Sequence, residues 1–294
     1  MILSVNQVRK SYGKTTVLKD ISFEIDKPKI VALVGPNGSG KSTLLSIITN
    51  LLSAEHGEIT ILNKSSKDPT IFKEIAFMQD NSVLYDYLTG YDHLQFIADV
   101  QKISKQQIYH TAERIGMTGY LHKKVGKYSL GMKQHLLLTM AILNQPKLLI
   151  LDEPLNGLDP TSAIKVRNLL LALLKEGTAI LLSSHNLGEI DLITSNILFL
   201  KDGSIIQEHI PQIERTYYQI IVNDSQKAQT ALQAESIHVK QINEKLMLYT
   251  NGVAINKVFL ILHDQNIMIL DIEKKVLGTE DRYQQVFGEE GKAL

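Results

Sequence analysis

The sequence predicts an α/β domain followed by a smaller α+β domain, and three observations predict it. Between Met1 and about His209, short β-branched or apolar runs alternate with longer helical patterns. The runs Ile30 to Val34, Leu148 to Leu151, Ala179 to Ser183 and Ile197 to Leu200 are continuously apolar, as parallel strands buried on both faces would be. From about Ile213 to Leu294 the elements become shorter and read βαββαβ plus a final helix.

Taken in order, the opening residues MILSVNQVRKSYG alternate apolar and polar side chains and lack the uninterrupted apolar core of a secretion signal. The first buried strand runs into a glycine-rich segment and then the helical LLSIITN. Between Asp86 and about Leu143 there is no strand signal, and SKQQIYHTAERIGM and GMKQHLLLTMAIL have helical patterns. A helical subdomain over about 84–144 is therefore expected inside a mixed, largely parallel sheet. The helix Thr161 to Lys175 covers that sheet, and Asp202-Gly203, between LFLK and SIIQEH, is a two-residue hairpin signal closing a first domain of residues 1–212. In the second domain, 213–294, the strands are YYQIIV, IHVKQI, LMLYT and NIMILDI, and the helices SQKAQTALQA, AINKVFLILHD and TEDRYQQVFG. Asn223-Asp224 and Asn251-Gly252 stand where a turn or helix cap is needed. There is no internal repeat and no low-complexity linker.

Composition narrows the function. The 31 basic and 31 acidic residues cancel, which gives no global electrostatic reason to expect a nucleic-acid partner. The absence of cysteine excludes a disulfide framework, a thiolate metal site and a cysteine nucleophile, and points to the cytoplasm. The apolar stretches fall short of the roughly 18 residues a spanning helix requires, so any membrane role comes through a partner. His238, His263 and Asp264 lack metal-ligand spacing.

The chemistry is concentrated in two segments. GPNGSGKST comprises Gly35, Pro36, Asn37, Gly38, Ser39, Gly40, Lys41, Ser42 and Thr43, and fits the P-loop pattern at every specified position between a strand and a helix. Its glycines let successive N–H groups point at phosphate oxygens, and the helix adds its positive end. Lys41 is then placed to neutralise the β- and γ-phosphates and Ser42 to offer a hydroxyl to Mg²⁺. In LLILDEP an apolar strand ends in two acids, Asp152 for the magnesium shell and Glu153 to polarise the attacking water as general base.

With these in place, the sequence resembles the ATP-binding subunits of ABC transporters over residues 1 to about 210. The resemblance implies an ABC ATPase fold of the P-loop NTPase class, ATP and Mg²⁺ as cofactors, and roles for further residues. Tyr12, in SYGKTTVL, matches the aromatic residue that stacks on adenine; Gln79, in IAFMQD, the loop glutamine that contacts magnesium and water; and His185, in LLSSHN, the histidine that contacts the γ-phosphate. The family signature LSGGQ is replaced by Tyr128, Ser129, Leu130, Gly131 and Met132, departing at three of five positions but keeping the serine for a γ-phosphate and a glycine for close approach. SLGMKQ here resembles the bacterial exporters that include the bacitracin and lantibiotic self-protection pumps.

Ser129 lies in the helical insertion and is expected to be too far from Lys41 of the same chain to share one nucleotide. Two chains, identical or paralogous, must then face head to tail with ATP between them. Asp159, in LNGLDP, matches the loop that crosses this seam, with Asn156 standing where many members have a small residue. The segment Leu84 to Leu94, with Tyr85, Tyr87 and Tyr91, is the expected dock for a membrane permease, which would hold the chain peripherally at the cytoplasmic face of the membrane. The C-terminal domain is expected to be a ferredoxin-like module with a dimerising or regulatory role. The competing expectation is a soluble ABC ATPase that remodels a ribosome or nucleic-acid complex; the single P-loop and the lack of a long coiled-coil insertion count against it. A P-loop kinase would leave SLGMKQ, Asp159 and His185 without a purpose.

Overall fold

The computed structural model describes residues 1–209, 216–242, 245–249, 255–276 and 278–288. The chain divides into two compact units, Met1–His209 and Ile210–Leu294.

In the first unit the strands are β1 (Leu3–Tyr12), β2 (Thr15–Ile25), β3 (Ile30–Val34), β4 (His56–Ile61), β5 (Lys64–Ser65), β6 (Ile75–Met78), β7 (Leu148–Leu151), β8 (Ala179–Ser184), β9 (Asn196–Lys201) and β10 (Ser204–His209). The helices are α1 (Lys41–Ile48), α2 (Gly90–Gln101), α3 (Lys105–Ile115), α4 (Leu130–Ile142), α5 (Pro160–Lys175) and α6 (Leu187–Asp191). Six strands form one sheet in the order β10-β9-β3-β8-β7-β6, parallel from β9 to β6, with β10 added antiparallel through the Asp202-Gly203 turn. Strands β3, β7 and β8 are buried at every position, which is why their sequences run apolar without alternation. A second, antiparallel sheet in the order β2-β1-β4-β5 accompanies it, so the sheet system is mixed.

Helix α1 is the link between the two sheets. Its Leu44, Leu45, Ile47 and Ile48 share one apolar cluster with Leu3, Val5 and Ile59 of the antiparallel sheet and Val31, Leu33 and Leu181 of the parallel one. The helix that follows the glycine-rich segment is thus clamped by core packing. Between β6 and β7 the chain is helical apart from short turns, with α2, α3 and α4 packed on one another. The segment Leu84 to Leu94 is only half helix: Thr89 Oγ1 caps α2 by accepting from Asp92 N while Asp92 Oδ2 accepts from Thr89 N. Tyr85 and Tyr87 precede the helix and are exposed, whereas Tyr91 is half-buried and its hydroxyl donates to Gln95 Oε1.

The second unit contains β11 (Thr216–Val222), α7 (Ser225–Ala234), β12 (His238–Ile242), β13 (Lys245–Tyr249), α8 (Ile255–Asp264), β14 (Ile269–Val276) and α9 (Thr279–Phe287). Its sheet is antiparallel in the order β12-β13-β11-β14. Ile220, Leu246, Leu248, Leu232, Val258 and Leu262 form a separate core. Asp224 caps α7, and the Asn223 side chain accepts from Met268 N. Asn251-Gly252 lies outside the described residues.

Candidate nucleotide site

Four of the residues singled out in the sequence follow the carboxyl ends of adjacent parallel strands: Gly35 after β3, Asp152 after β7, His185 after β8 and Gln79 after β6. This is where open α/β sheets bind ligands, because the loops that leave those ends converge on one crevice.

At β3 the turn is built to bring backbone close to a ligand. A Cβ on Gly35 would lie 2.7 Å from Ser39 Oγ and 2.8 Å from the Leu200 carbonyl, so only glycine fits. Gly40 adopts φ 106° and caps α1 with no side chain. Lys41 is buried and its Nζ donates to the carbonyls of Gly35 at 2.8 Å and Pro36 at 3.2 Å, folding the cation back over the loop. Ser39 Oγ is buried with no hydrogen-bond partner, and Ser42 is exposed in the first turn of α1. A cradle with an unsatisfied hydroxyl, an inward cation and a free helix N-terminus fits a polyphosphate.

At β7 the acids are held by a partner the sequence reading did not name. Ser183, fully buried in β8, donates to Asp152 Oδ1 at 2.5 Å and accepts from Glu153 N at 2.9 Å. Glu153 has φ 50°, a left-handed conformation that costs energy for a side chain of this size and is held by its surroundings. Gln134 Nε2 of α4 donates to the Glu153 carbonyl at 3.0 Å, tying the helical subdomain to this turn. Glu153 Oε2 accepts from His185 N at 3.3 Å and lies 2.8 Å from His185 Nδ1. The signal for Ser183 was its place two residues before His185; that for Gln134, its place at the end of SLGMKQ.

The signature segment shows why it departs from the family pattern. Tyr128 is buried, and its hydroxyl donates to the Tyr120 carbonyl at 2.8 Å; a Cβ on Gly90 would meet that hydroxyl at 2.4 Å. Leu130 is half exposed and sits over Gly157, where a Cβ would approach its Cδ2 to 2.2 Å. Two of the three substituted positions, Tyr128 and Leu130, therefore have matching glycines elsewhere. Ser129 caps α4 by accepting from Met132 N, directing the N-terminus of a helix outward. A Cβ on Gly131 would make only ordinary contact, 3.7 Å from Leu158 Cδ2, so packing within this chain does not demand glycine there.

Asp159 is committed to capping α5. Its carboxylate accepts from Thr161 N, Ser162 N and Ser162 Oγ, and these bonds, the Ser162 hydroxyl first, hold its carboxyl below the usual range. Tyr12 is 52% exposed at the end of β1, with Lys10 Nζ 5.6 Å from its ring centroid. Gln79 follows β6, half-buried, beside an apolar groove of about 320 Å³ that includes Phe72, Phe77, Val83, Ile97 and Met140.

Residues 18–156 match the model of a family described as ABC transporter, and residues 124–191 match one described as an AAA domain, putative AbiEii toxin, Type IV TA system. The chain is 33% identical to the Bacillus subtilis uncharacterized ABC transporter ATP-binding protein YhcH, over 98% of this chain and 96% of that one. This chain is an ABC transporter ATP-binding protein. As such it is an ATPase. The Enterococcus faecalis bacitracin transport ATP-binding protein BcrA is 30% identical, with 99% of this chain and 98% of that protein covered. The Streptococcus pyogenes lantibiotic transport ATP-binding protein SrtF is 36% identical over 70% of this chain and 90% of its own length. Among solved structures, an ATP-binding subunit of an ABC transporter superposes with TM-score 0.66 at 23% identity, covering 90% of this chain and 100% of that one. A dimeric post-hydrolysis ATP-binding cassette bound to ADP and Pi superposes with TM-score 0.66, covering 71% of this chain and 99% of that one. Among the described residues no helix is long and apolar enough to cross a membrane.

Proposed function

We propose that this ABC ATPase drives an exporter by closing head to tail on ATP with a second ATPase subunit, identical or paralogous, beneath a separate membrane permease. The observation that supports the permease is the apolar groove lined in part by Gln79, because a partner segment seated there would sense the residue this reading sets beside the nucleotide. The groove, rather than Tyr85, Tyr87 and Tyr91, is the dock in this reading. In this reading the chain works peripherally at the cytoplasmic face of the membrane, with no nucleic-acid partner.

In the ATP site, Gly35, Pro36, Asn37, Gly38, Ser39, Gly40 and Thr43 wrap the phosphates, Lys41 neutralises them, and Tyr12 stacks on the adenine. Ser42, Asp152 and Gln79 would hold Mg²⁺; a hydroxyl, a carboxylate and an amide suit a small hard cation that keeps water and phosphate ligands. Mg²⁺ bound there would neutralise charge developing on the β- and γ-phosphate oxygens. Glu153 takes a proton from the attacking water, and His185, held through Nδ1 by Glu153, keeps Nε2 for the γ-phosphate. Ser129 and Gly131 of one chain meet the γ-phosphate held by the other, which gives Gly131 a reason its own chain does not. Asp159 fixes the start of α5 where the two chains meet.

Full-length similarity to a bacitracin transport ATP-binding protein and partial similarity to a lantibiotic one favour an antimicrobial peptide as cargo, with drugs or lipids next. We read residues 213–294 as a ferredoxin-like accessory domain, supported by the βαββαβ order and the antiparallel β12-β13-β11-β14 sheet. The test is to tag the chain in its native cell, solubilise membranes gently and identify what co-purifies. A polytopic membrane protein in near-equal amount is the expected result. Ribosomal or nucleic-acid proteins without one would overturn transport while leaving the ATPase.

A further inference from the structure

We propose that the helical part of the first unit touches an anionic lipid surface directly, through a belt of tyrosines and lysines that the nucleotide site does not use. The belt is assembled by two neighbouring segments. Val125 N donates to the Leu88 carbonyl at 2.8 Å, Gly126 N donates to the Asp86 carbonyl at 2.9 Å, and Thr89 and Lys124 form a β-bridge. This backbone pairing brings Tyr85 and Tyr87 beside Lys123, Lys124 and Lys127.

Tyr85 and Tyr87 are 57% and 68% exposed, their ring centroids 5.7 Å apart. Next to Lys123 in the chain, His122 joins Tyr91 and Tyr109 in a second aromatic group with centroids 5.1 to 6.2 Å apart. All three lysines are exposed, and none takes part in an ion pair among the described residues. The acids in the neighbourhood are already engaged. Asp86 pairs with Lys133 at 3.0 Å, and Asp92 closes the cap of α2. Lys123, Lys124, Lys127 and Lys133 outnumber the carboxylates of Asp86 and Asp92, so the patch is locally positive in a chain whose formal net charge is +0.

The chemistry matches a lipid headgroup layer from two directions. Lysines gain attraction from the negative surface potential of anionic lipid, and amphipathic tyrosine rings favour the polar boundary of a bilayer. Tyr85 stacks on His93 with ring centroids 6.2 Å apart, but its exposed ring, that of Tyr87 and the three unpaired lysines contribute little to the core. A chain held near the membrane by a permease would present this belt to headgroups, but the contact itself requires no permease and is testable without one.

The experiment is sedimentation of the purified full chain with phosphatidylcholine vesicles, plain or carrying about 30% phosphatidylglycerol. Binding to the anionic vesicles alone is expected, declining as salt rises from about 0.05 to 0.5 M because screening shortens the reach of the lysines. The triple variant Lys123→Glu/Lys124→Glu/Lys127→Glu should bind them on the order of a hundredfold less. Tyr85→Ser/Tyr87→Ser should weaken binding while ATP turnover and melting temperature stay at wild-type values. Absence of binding, equal binding to both vesicle types, or a triple variant that binds as wild type would overturn the proposal. So would loss of permease co-purification in the triple variant when wild type ignores the vesicles, which would assign the belt to a protein partner. The ATP-driven transport reading survives every one of these failures.

Discussion

Glu153 Oε2 lies 2.8 Å from His185 Nδ1, joining the ends of β7 and β8 through their catalytic candidates. The pairing fixes the ring of His185 so that Nε2 faces away from the carboxylate. It also means that the carboxylate which would accept a proton from water is oriented by its neighbour before any nucleotide arrives. A glutamate at φ 50° is unfavourable unless such contacts hold it, and the bonds its N–H donates to Ser183 Oγ and its carbonyl accepts from Gln134 Nε2 supply the rest.

Replacing Glu153 with Gln keeps the shape and removes the proposed base. ATP binding should remain, hydrolysis should fall by about 10² to 10⁴-fold, and the protein should accumulate as a dimer in the presence of ATP. Phosphate release together with size-exclusion chromatography reads both effects. Turnover close to wild type would mean that Glu153 is not the base.

Ser183→Ala tests the positioning of both acids at once. It removes the donor to Asp152 and the acceptor for Glu153 N in a fully buried place, so about 1 to 3 kcal/mol of stability should be lost in urea unfolding. Turnover should fall while the KM for ATP moves little, because in the proposed site the Gly35–Thr43 loop, not Ser183, holds the phosphates. A larger change in KM than in kcat would instead place Ser183 in nucleotide binding.

The parts of this site that were legible in the sequence are those where chemistry dictates residue type at fixed spacing. Gly35 to Thr43, Asp152 with Glu153, and His185 are of this kind, and fully buried β3, β7 and β8 announce themselves as unbroken apolar runs. What escaped depends on contacts between distant segments. The antiparallel sheet of β1, β2 and β4 is half exposed, and the β1–β2 pairing shifts register three times, which blurs its alternation. Ser183 and Gln134 carry no motif of their own until Glu153 is placed between them. Likewise Leu130 reads as a departure from a pattern until Gly157 is found beneath it, and Tyr128 until Gly90 is.

Gly131 separates a demand of folding from one of assembly. Since an added Cβ would meet only Leu158 Cδ2 at 3.7 Å and Ser129 Oγ at 4.0 Å, Gly131→Ala should leave the melting temperature unchanged or slightly raised, alanine being the better helix former. Nucleotide binding by the monomer should also persist. If a second chain's nucleotide approaches this backbone, turnover should drop about tenfold or more, the cost of losing roughly 1.4 kcal/mol of transition-state contact. Unchanged turnover would remove the need for close approach at Gly131.

His135 makes stability depend on pH. It lies in α4 below the signature turn, buried, with Tyr120 Oη 2.9 Å from Nδ1 and with Nε2 unpartnered. Burial disfavours the charged ring and lowers its pKa from the ordinary 6.5, with the nearby Lys165 cation acting in the same direction and Asp159 opposing it. The folded state therefore releases this proton more readily than the unfolded chain. Well above pH 6.5 both states are neutral here and stability is unaffected; as pH falls toward and through 6.5 the unfolded chain protonates first and gains. Thermal unfolding followed from pH 7.5 to 5.5 should show a falling melting temperature, with a shallower fall in His135→Phe, which cannot titrate. Parallel slopes for the two proteins would show that the acid sensitivity arises at other residues.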